Sequence, residues 1–317
     1  MPGGGSAGRV AVGDGATPVP AAAAAWQVAT TKFDQVPSSL LAGTAPAEIA
    51  VVDTGADLTA LPATGRTVAT YDVHSRSRTV TDVNGHGTFV ASLAAETDAP
   101  LLIVKAAGPD GTFTAAAESR AIRYAIDHGA RVLNLSFAGT STSALERSAI
   151  RYAIRRGALV VAAAGNEYAT GNPVEYPAAL LQPVGSRGRG GAGLVVGAST
   201  RDGHRAAFSN TGSWISLAAP GDAVVGMLAG TTSAKTTAGT LGLGSGTSYA
   251  APQVAAAAAL VWGIDPALTA RQVADILKET ASDADAWTPD LGYGVLDIAA
   301  AVAKAQSLTP PGSTPTS

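Results

Sequence analysis

The sequence predicts an α/β fold, a doubly wound, mostly parallel sheet with helices on both faces, and three observations carry that reading. Short β-branched apolar runs close on glycine, as in "EIAVVDTG" (48–55) and "LLIVKAAG" (101–108), the pattern of strands buried on both sides. The chain echoes itself: "AIRYAIDHGARVLNLSF" (121–137) returns 28 residues later as "AIRYAIRRGALVVAAAG" (149–165). Each copy is an amphipathic helix, a glycine and an apolar strand, which is one αβ unit of a parallel sheet. Polar residues gather where those strands end, at Asp53, Ser136 and Asn166. That is where such sheets bind their ligands.

The elements follow in order. Residues 1–25, rich in Gly, Ala and Pro, read as a flexible segment, and the folded unit is expected over 26–306. "GLVVGAST" (193–200) and "WISLAAPG" (214–221) add two strands after the repeated units. "GLGSGTSYAAPQVAAAAALVW" (242–262) is a glycine-rich turn followed by a run of the strongest helix former. Pro252 is tolerated only near the start of a helix, so this one begins about Thr247–Tyr249. Thr269 with Gln272 forms a capping box for a helix over 267–280. The end, 307–317, is a Pro/Thr/Ser-rich tail.

Composition excludes several functions. A net charge of −3 without a Lys/Arg cluster argues against nucleic acid or anionic membrane as the main partner. The absence of cysteine excludes disulfides, thiolate catalysis and cysteine-based zinc sites. No apolar run reaches the roughly 20 residues of a membrane span. The first residues lack the strongly apolar core of a signal peptide. No cofactor and no metal ligand set is expected, and the chain reads as a monomer.

Ser248 lies at the start of the alanine-rich helix, where free N–H groups and the dipole favour a negative oxygen. Taken alone it is equally an ordinary N-cap. A nucleophilic serine needs a base, an orienting carboxylate and an oxyanion donor. Of four histidines, His74 and His204 lie in polar loops and His128 at a helix end, whereas His86 stands between glycines before an apolar helix, in "DVNGHGTFVASLAA". Asp53 closes a buried strand and Asn166 closes "VVAAAGN"; each, taken alone, is a turn residue.

Together, Asp53 in DTG, His86 in GHGT, Asn166 in AAGN and Ser248 in GTSYAAP resemble the subtilisin-like serine peptidases, with the motifs in that family's order. The resemblance covers nearly all of the folded unit, from DTG to "LGYGVLDIAAAV" (291–302). It implies a serine endopeptidase acting on a polypeptide substrate. Ser248 is then the nucleophile, His86 the base, Asp53 its orienting carboxylate, and Asn166 with the Ser248 N–H the oxyanion hole. It further implies two walls for the first substrate pocket, Ser136-Phe137-Ala138 and Ala163-Ala164-Gly165, whose small apolar residues favour a large apolar or aromatic side chain, with Glu167 at the rim, where it would also admit Lys or Arg. The family's habit implies secretion or the cell surface.

The chain departs from the pattern in places. Gln253 and Ala256 stand where the family commonly has His and Gly, and Ala138 replaces a frequent Gly. After the His86 helix only Glu96-Thr97-Asp98-Ala99-Pro100 precedes the next strand, so the calcium loop of many relatives is not expected and the two acids read as a solvated turn. Two other functions remain open from the residues alone. One is a binding protein that keeps the fold without turnover. The other is an aspartic peptidase using the single DTG of Asp53, which would need a second such carboxylate.

Overall fold

Among the residues described in this computed structural model (6–7, 19, 21–61, 68–230 and 239–309), seven strands form one parallel sheet. The first half of the chain gives β1 (Ser6–Ala7), α1 (Ala21–Thr30), α2 (Ser38–Ala42), β2 (Ile49–Asp53), β3 (Val68–Asp72), α3 (His86–Ala94), β4 (Leu101–Lys105), α4 (Ala115–Asp127), β5 (Val132–Leu135) and β6 (Phe137–Ala138). The second half gives α5 (Ala144–Arg155), β7 (Leu159–Ala163), α6 (Ala178–Leu181), β8 (Gly193–Ser199), β9 (Leu217–Pro220), β10 (Val224–Met227), β11 (Leu241–Gly244), α7 (Thr247–Ile264), α8 (Ala270–Glu279) and α9 (Ile298–Leu308).

The sheet order is β3-β4-β2-β5-β7-β8-β9. From β2 the chain goes out to the edge at β3, returns to β4 beside β2, then crosses to β5 and continues the other way. The order therefore reverses between β2 and β5, which opens a crevice at their C-terminal ends. Val52 pairs with Leu135 there, so Asp53 and Ser136 leave the sheet side by side.

Burial on both faces explains the strand sequences. In β2, Ile49 and Val51 enter one core while Ala50 and Val52 enter the other. The first core is filled by α3 and α7, the second by α4 and α5. Every residue of α7 is buried, which is why it shows no polar stripe. The repeated units pack side by side, and Arg123 of α4 donates to Ser148 Oγ of α5 at 2.8 Å. The Thr269–Gln272 capping box opens α8 as expected.

The expected boundaries need correction. Position 25/26 falls inside α1 and position 306/307 inside α9. The segment read as flexible contains β1 and the first half of α1, while the tail beyond Thr309 lies outside the described residues. Composition pointed to a linker, yet alanine is also the best helix former, and α1 is anchored by distant partners. Gln27 clamps Val225 of β10, donating Nε2–H to its carbonyl at 3.0 Å and accepting its N–H at 2.7 Å. Trp26 Nε1 donates to Ala223 O at 3.3 Å. No helix among the described residues is long and apolar enough to cross a membrane.

Candidate active site

Asp53 ends β2 and is fully buried. Its Oδ1 accepts the Thr54 N–H at 2.7 Å and faces His86 Nδ1 at 2.8 Å. His86 opens α3 and is likewise fully buried. The close approach depends on the next residue: a Cβ at Gly87 would lie 2.2 Å from the Gly55 carbonyl oxygen and 3.1 Å from Asp53 Oδ1. Glycine is what lets the α3 start settle against the β2 end.

A second carboxylate holds that start in place. Asp82 accepts N–H groups of Asn84, Gly85 and Thr88 at 3.1, 2.8 and 2.8 Å, and the Thr88 hydroxyl at 2.6 Å. It also accepts the Thr54 hydroxyl at 2.9 Å, while Thr54 Oγ1 accepts the Gly87 N–H at 2.8 Å. Sequence reasoning missed Asp82. Its only signal is an acid four residues before the histidine; the N-cap itself is Gly85, so Asp82 falls outside the usual capping position.

Burial pushes the His86 pKa down, but the Asp53 carboxylate, and more weakly Asp82, outweigh it and leave the pKa raised above 6.5. His86 Nε2 is buried with no hydrogen-bond partner. An imidazole gripped at Nδ1 by a carboxylate and open at Nε2 is poised to take a proton.

Ser248 is the second residue of α7, and Pro252 explains its surroundings. Proline has no N–H to return to the carbonyl four residues earlier, so Ser248 O is released from the helix ladder. It accepts the Ser136 hydroxyl at 2.8 Å, while Ser248 Oγ donates to Ser136 O at 3.0 Å. The helix start is thus fastened to the end of β5. Asn166 Oδ1 accepts the Thr247 N–H at 2.8 Å, which turns its Nδ2 toward Gly246. The Ser248 N–H lies in the first helical turn, where the ladder offers no acceptor.

Asp53, His86, Asn166 and Ser248 therefore meet at one crevice, drawn from β2, α3, the end of β7 and α7. Ser136, Phe137 and Ala138 run from the end of β5 through β6, and Ala163-Ala164-Gly165 leads out of β7. One side chain departs from expectation. Phe137 stacks on Phe113, centroids 4.2 Å apart, so it offers only backbone to the wall. The β6 edge carries an antiparallel partner, Ser6 opposite Ala138 and Ala7 opposite Phe137. Glu167 is half-buried and its Oε2 accepts the Asn166 N–H at 2.5 Å.

Among the described residues, no group of three His, Asp or Glu side chains is placed to hold an ion. The Glu96–Pro100 connection is not wholly the solvated turn its length suggested. Asp98 is exposed, but Glu96 is half-buried and burial raises its pKa to about 7.

The model of the Subtilase family matches residues 46–295. The chain belongs to the subtilase family. It is 36% identical over 231 residues to a thermophilic serine proteinase of Bacillus sp. (strain AK1), covering 69% of this chain and 53% of that protein. It is 38% identical over 249 residues to the cell wall-associated protease of Bacillus subtilis (strain 168), covering 74% of this chain and 26% of the relative. The chain thus spans about half and about a quarter of these two subtilases. Among solved structures, the MycP3 protease from the type VII (ESX-3) secretion system is 26% identical with a TM-score of 0.71, covering 95% of this chain and 92% of that one. A cold-adapted subtilisin-like serine proteinase is 27% identical with a TM-score of 0.66, covering 79% and 88%.

Proposed function

We propose that this subtilase is a serine endopeptidase in which Ser248 attacks the scissile carbonyl of a polypeptide. The observation that carries the reading is the buried His86–Asp53 contact of 2.8 Å with His86 Nε2 left without a partner. Rotation about the Ser248 side-chain bond takes the hydroxyl from Ser136 O toward His86. Its proton passes to Nε2 as Oγ bonds to the carbonyl carbon, and the carbonyl oxygen becomes an oxyanion. Asn166 Nδ2 and the Ser248 N–H receive that charge. Asp53 stabilises the imidazolium, which returns the proton to the departing amine. Water repeats the cycle on the acyl-enzyme and releases the acid.

Substrate binds as an added strand along β6 and the Ala163–Gly165 segment. The pairing of Ser6–Ala7 with β6 supports this, because that edge already takes an extended antiparallel backbone. The aspartic reading loses support because the Asp53 carboxylate is engaged with His86. A fluorophosphonate probe tests the proposal: it is expected to label Ser248 alone, and the label is expected to vanish in Ser248→Ala. An intact fold that takes no label would favour the binding-protein reading.

A further inference from the structure

No run of Lys or Arg stands out along the chain, but the fold gathers arginines on one outer face. Residues 115–157, spanning α4 and α5, hold seven of the 21 basic residues and three of the 24 acids. On α5, Arg147, Arg151 and Arg155 recur every fourth residue and so stand in one row, with Arg156 beside the last. Arg147 is half-buried and the other three are exposed. The row is about 12 Å long, from the helical rise of about 1.5 Å per residue.

The internal repeat shows that the fold does not require this charge. The equivalent positions of α4, 28 residues earlier, are Ser119, Arg123, Asp127 and His128. There the step from Arg123 to Asp127 joins opposite charges, which steadies a helix, whereas like charges four residues apart oppose one another. Little nearby offsets the row. Glu118 and Glu146 are buried, and burial, then the Glu146 charge, pushes Glu118 up to about 9, so it is uncharged at neutral pH. The one exposed acid of the two helices, Asp127, accepts the Tyr152 hydroxyl. Among the described residues, no ion pair uses an arginine of α4 or α5. An exposed row of one sign, kept at a cost to its own helix, suits a polyanion.

The row begins near the end of β6, the edge assigned to substrate. That strand finishes at Ala138, and Ser143, the N-cap of α5, follows five residues later. Helix α5 runs against the direction of the parallel strands β5 and β7, so Arg147 lies nearest the cleft and Arg155 farthest from it. A strand added antiparallel to β6, as Ser6–Ala7 is, points its N-terminal direction toward Gly139 and the start of α5. An extended peptide rises about 3.3 Å per residue, so about four residues cover the row. We propose that Arg147, Arg151, Arg155 and Arg156 form an exosite that holds an acidic stretch of the polypeptide substrate, N-terminal to the residues paired with β6. The inference rests on the peptidase reading above, and it concerns a surface outside the cleft.

The test uses the full chain, titrated with fluorophosphonate so that rates refer to reactive enzyme. Peptides share one cleavable core and carry a four-residue run of Glu, Gln or Lys that ends about five positions before the scissile bond. At low ionic strength the Glu peptide is expected to show a kcat/KM about fivefold or more above the Gln peptide, through KM rather than kcat, and the Lys peptide a lower one. The gap is expected to close at about 0.5 M NaCl, where screening reaches within a few ångströms of each charge. The triple variant Arg147→Gln, Arg151→Gln, Arg155→Gln is expected to lose the gap and to keep its rate on the Gln peptide, with a thermal melt to check the fold. Glu and Gln peptides cleaved alike, a gap that survives in the variant, or an equal gain when the Glu run follows the scissile bond overturns the inference while the peptidase reading stands. Co-sedimentation with phosphatidylglycerol vesicles that the variant loses, without any gap between the peptides, gives the face to a membrane and overturns it as well. A wild type that takes no label overturns the peptidase reading. Fluorescence anisotropy of a labelled Glu peptide on that protein then reads the face alone: weaker binding to the triple variant supports it, and equal binding overturns it.

Discussion

Helices α3 and α7 each begin with a residue of the candidate triad, but their first turns are built differently. At α3 the leading N–H groups are occupied: His86 donates to Asn84 Oδ1 at 3.2 Å, Gly87 to Thr54 Oγ1 at 2.8 Å and Thr88 to Asp82 Oδ2 at 2.8 Å. At α7 the Thr247 N–H goes to Asn166 and the Tyr249 N–H to Gly246 O at 3.0 Å, while the Ser248 N–H between them has no acceptor among the described residues. The candidate base is held by saturating a helix start; the candidate nucleophile sits where one donor of a helix start is left unspent. A fixed imidazole and an open oxyanion hole need opposite treatment of the same backbone groups.

The comparison breaks most sharply at the nucleophile. Ser248→Ala is expected to lower peptide hydrolysis by about 10⁴-fold or more, with the fold retained on circular dichroism. Appreciable residual cleavage would sink the assignment. Asn166→Ala removes the proposed oxyanion donor and is expected to cost about 10²–10³ in kcat, with a smaller change in KM. An equal loss confined to KM would move Asn166 from the reaction to substrate binding.

The α3 side is sharpened by pH. In the proposed role His86 acts as base only when neutral, so activity is expected to rise with pH through a midpoint above 6.5. Asp82→Asn takes away one of the charges that raise it, and the midpoint is expected to fall. A midpoint that stays or climbs contradicts the electrostatic role. The same variant weakens the α3 cap, with an expected stability loss of about 1–3 kcal/mol in denaturant unfolding. The sign of the linkage follows from the raised imidazole: its contribution is complete below 6.5 and fades as pH rises through the folded-state value. The smallest effect is expected at the cleft edge. Ala7→Pro disfavours the β1 pairing and is expected to lower KM for long peptides by about twofold to fivefold, leaving small ester substrates unaffected.

Much of the fold was legible because β2, β4, β5, β7 and β8 are apolar on both faces and the α4–β5 and α5–β7 units repeat. What escaped was set by tertiary partners. Strand β3 is half-exposed and lies at the sheet edge, and β10–β11 is a glycine-containing hairpin without a long apolar run. Helix α1 is fastened to residues near 225, about 200 positions away, and no local pattern announces that. The four candidate catalytic residues stood out because each interrupts an element with a chemically unusual side chain. Asp82 did not: it lies three residues ahead of the Gly85 N-cap, and only the folded loop brings it to Thr88 and Thr54. Phe137 was placed on the right strand, but the face its ring takes is decided by Phe113.

The burial of α7 also bears on how the chain reaches this state during synthesis. The helix packs on α3 and on β2, β5, β7, β8 and β9, yet it spans residues 247–264, later in the chain than all of those elements. Until it emerges, the face it shares with α3 is only partly covered, and the strands leave apolar side chains such as Val161 and Val196 without their main partner. Such non-local closure is slow and leaves sticky intermediates exposed while it is pending. A chain that ends before Thr247 therefore lacks the element that buries most of this face, and arrival of the alanine-rich helix completes the core.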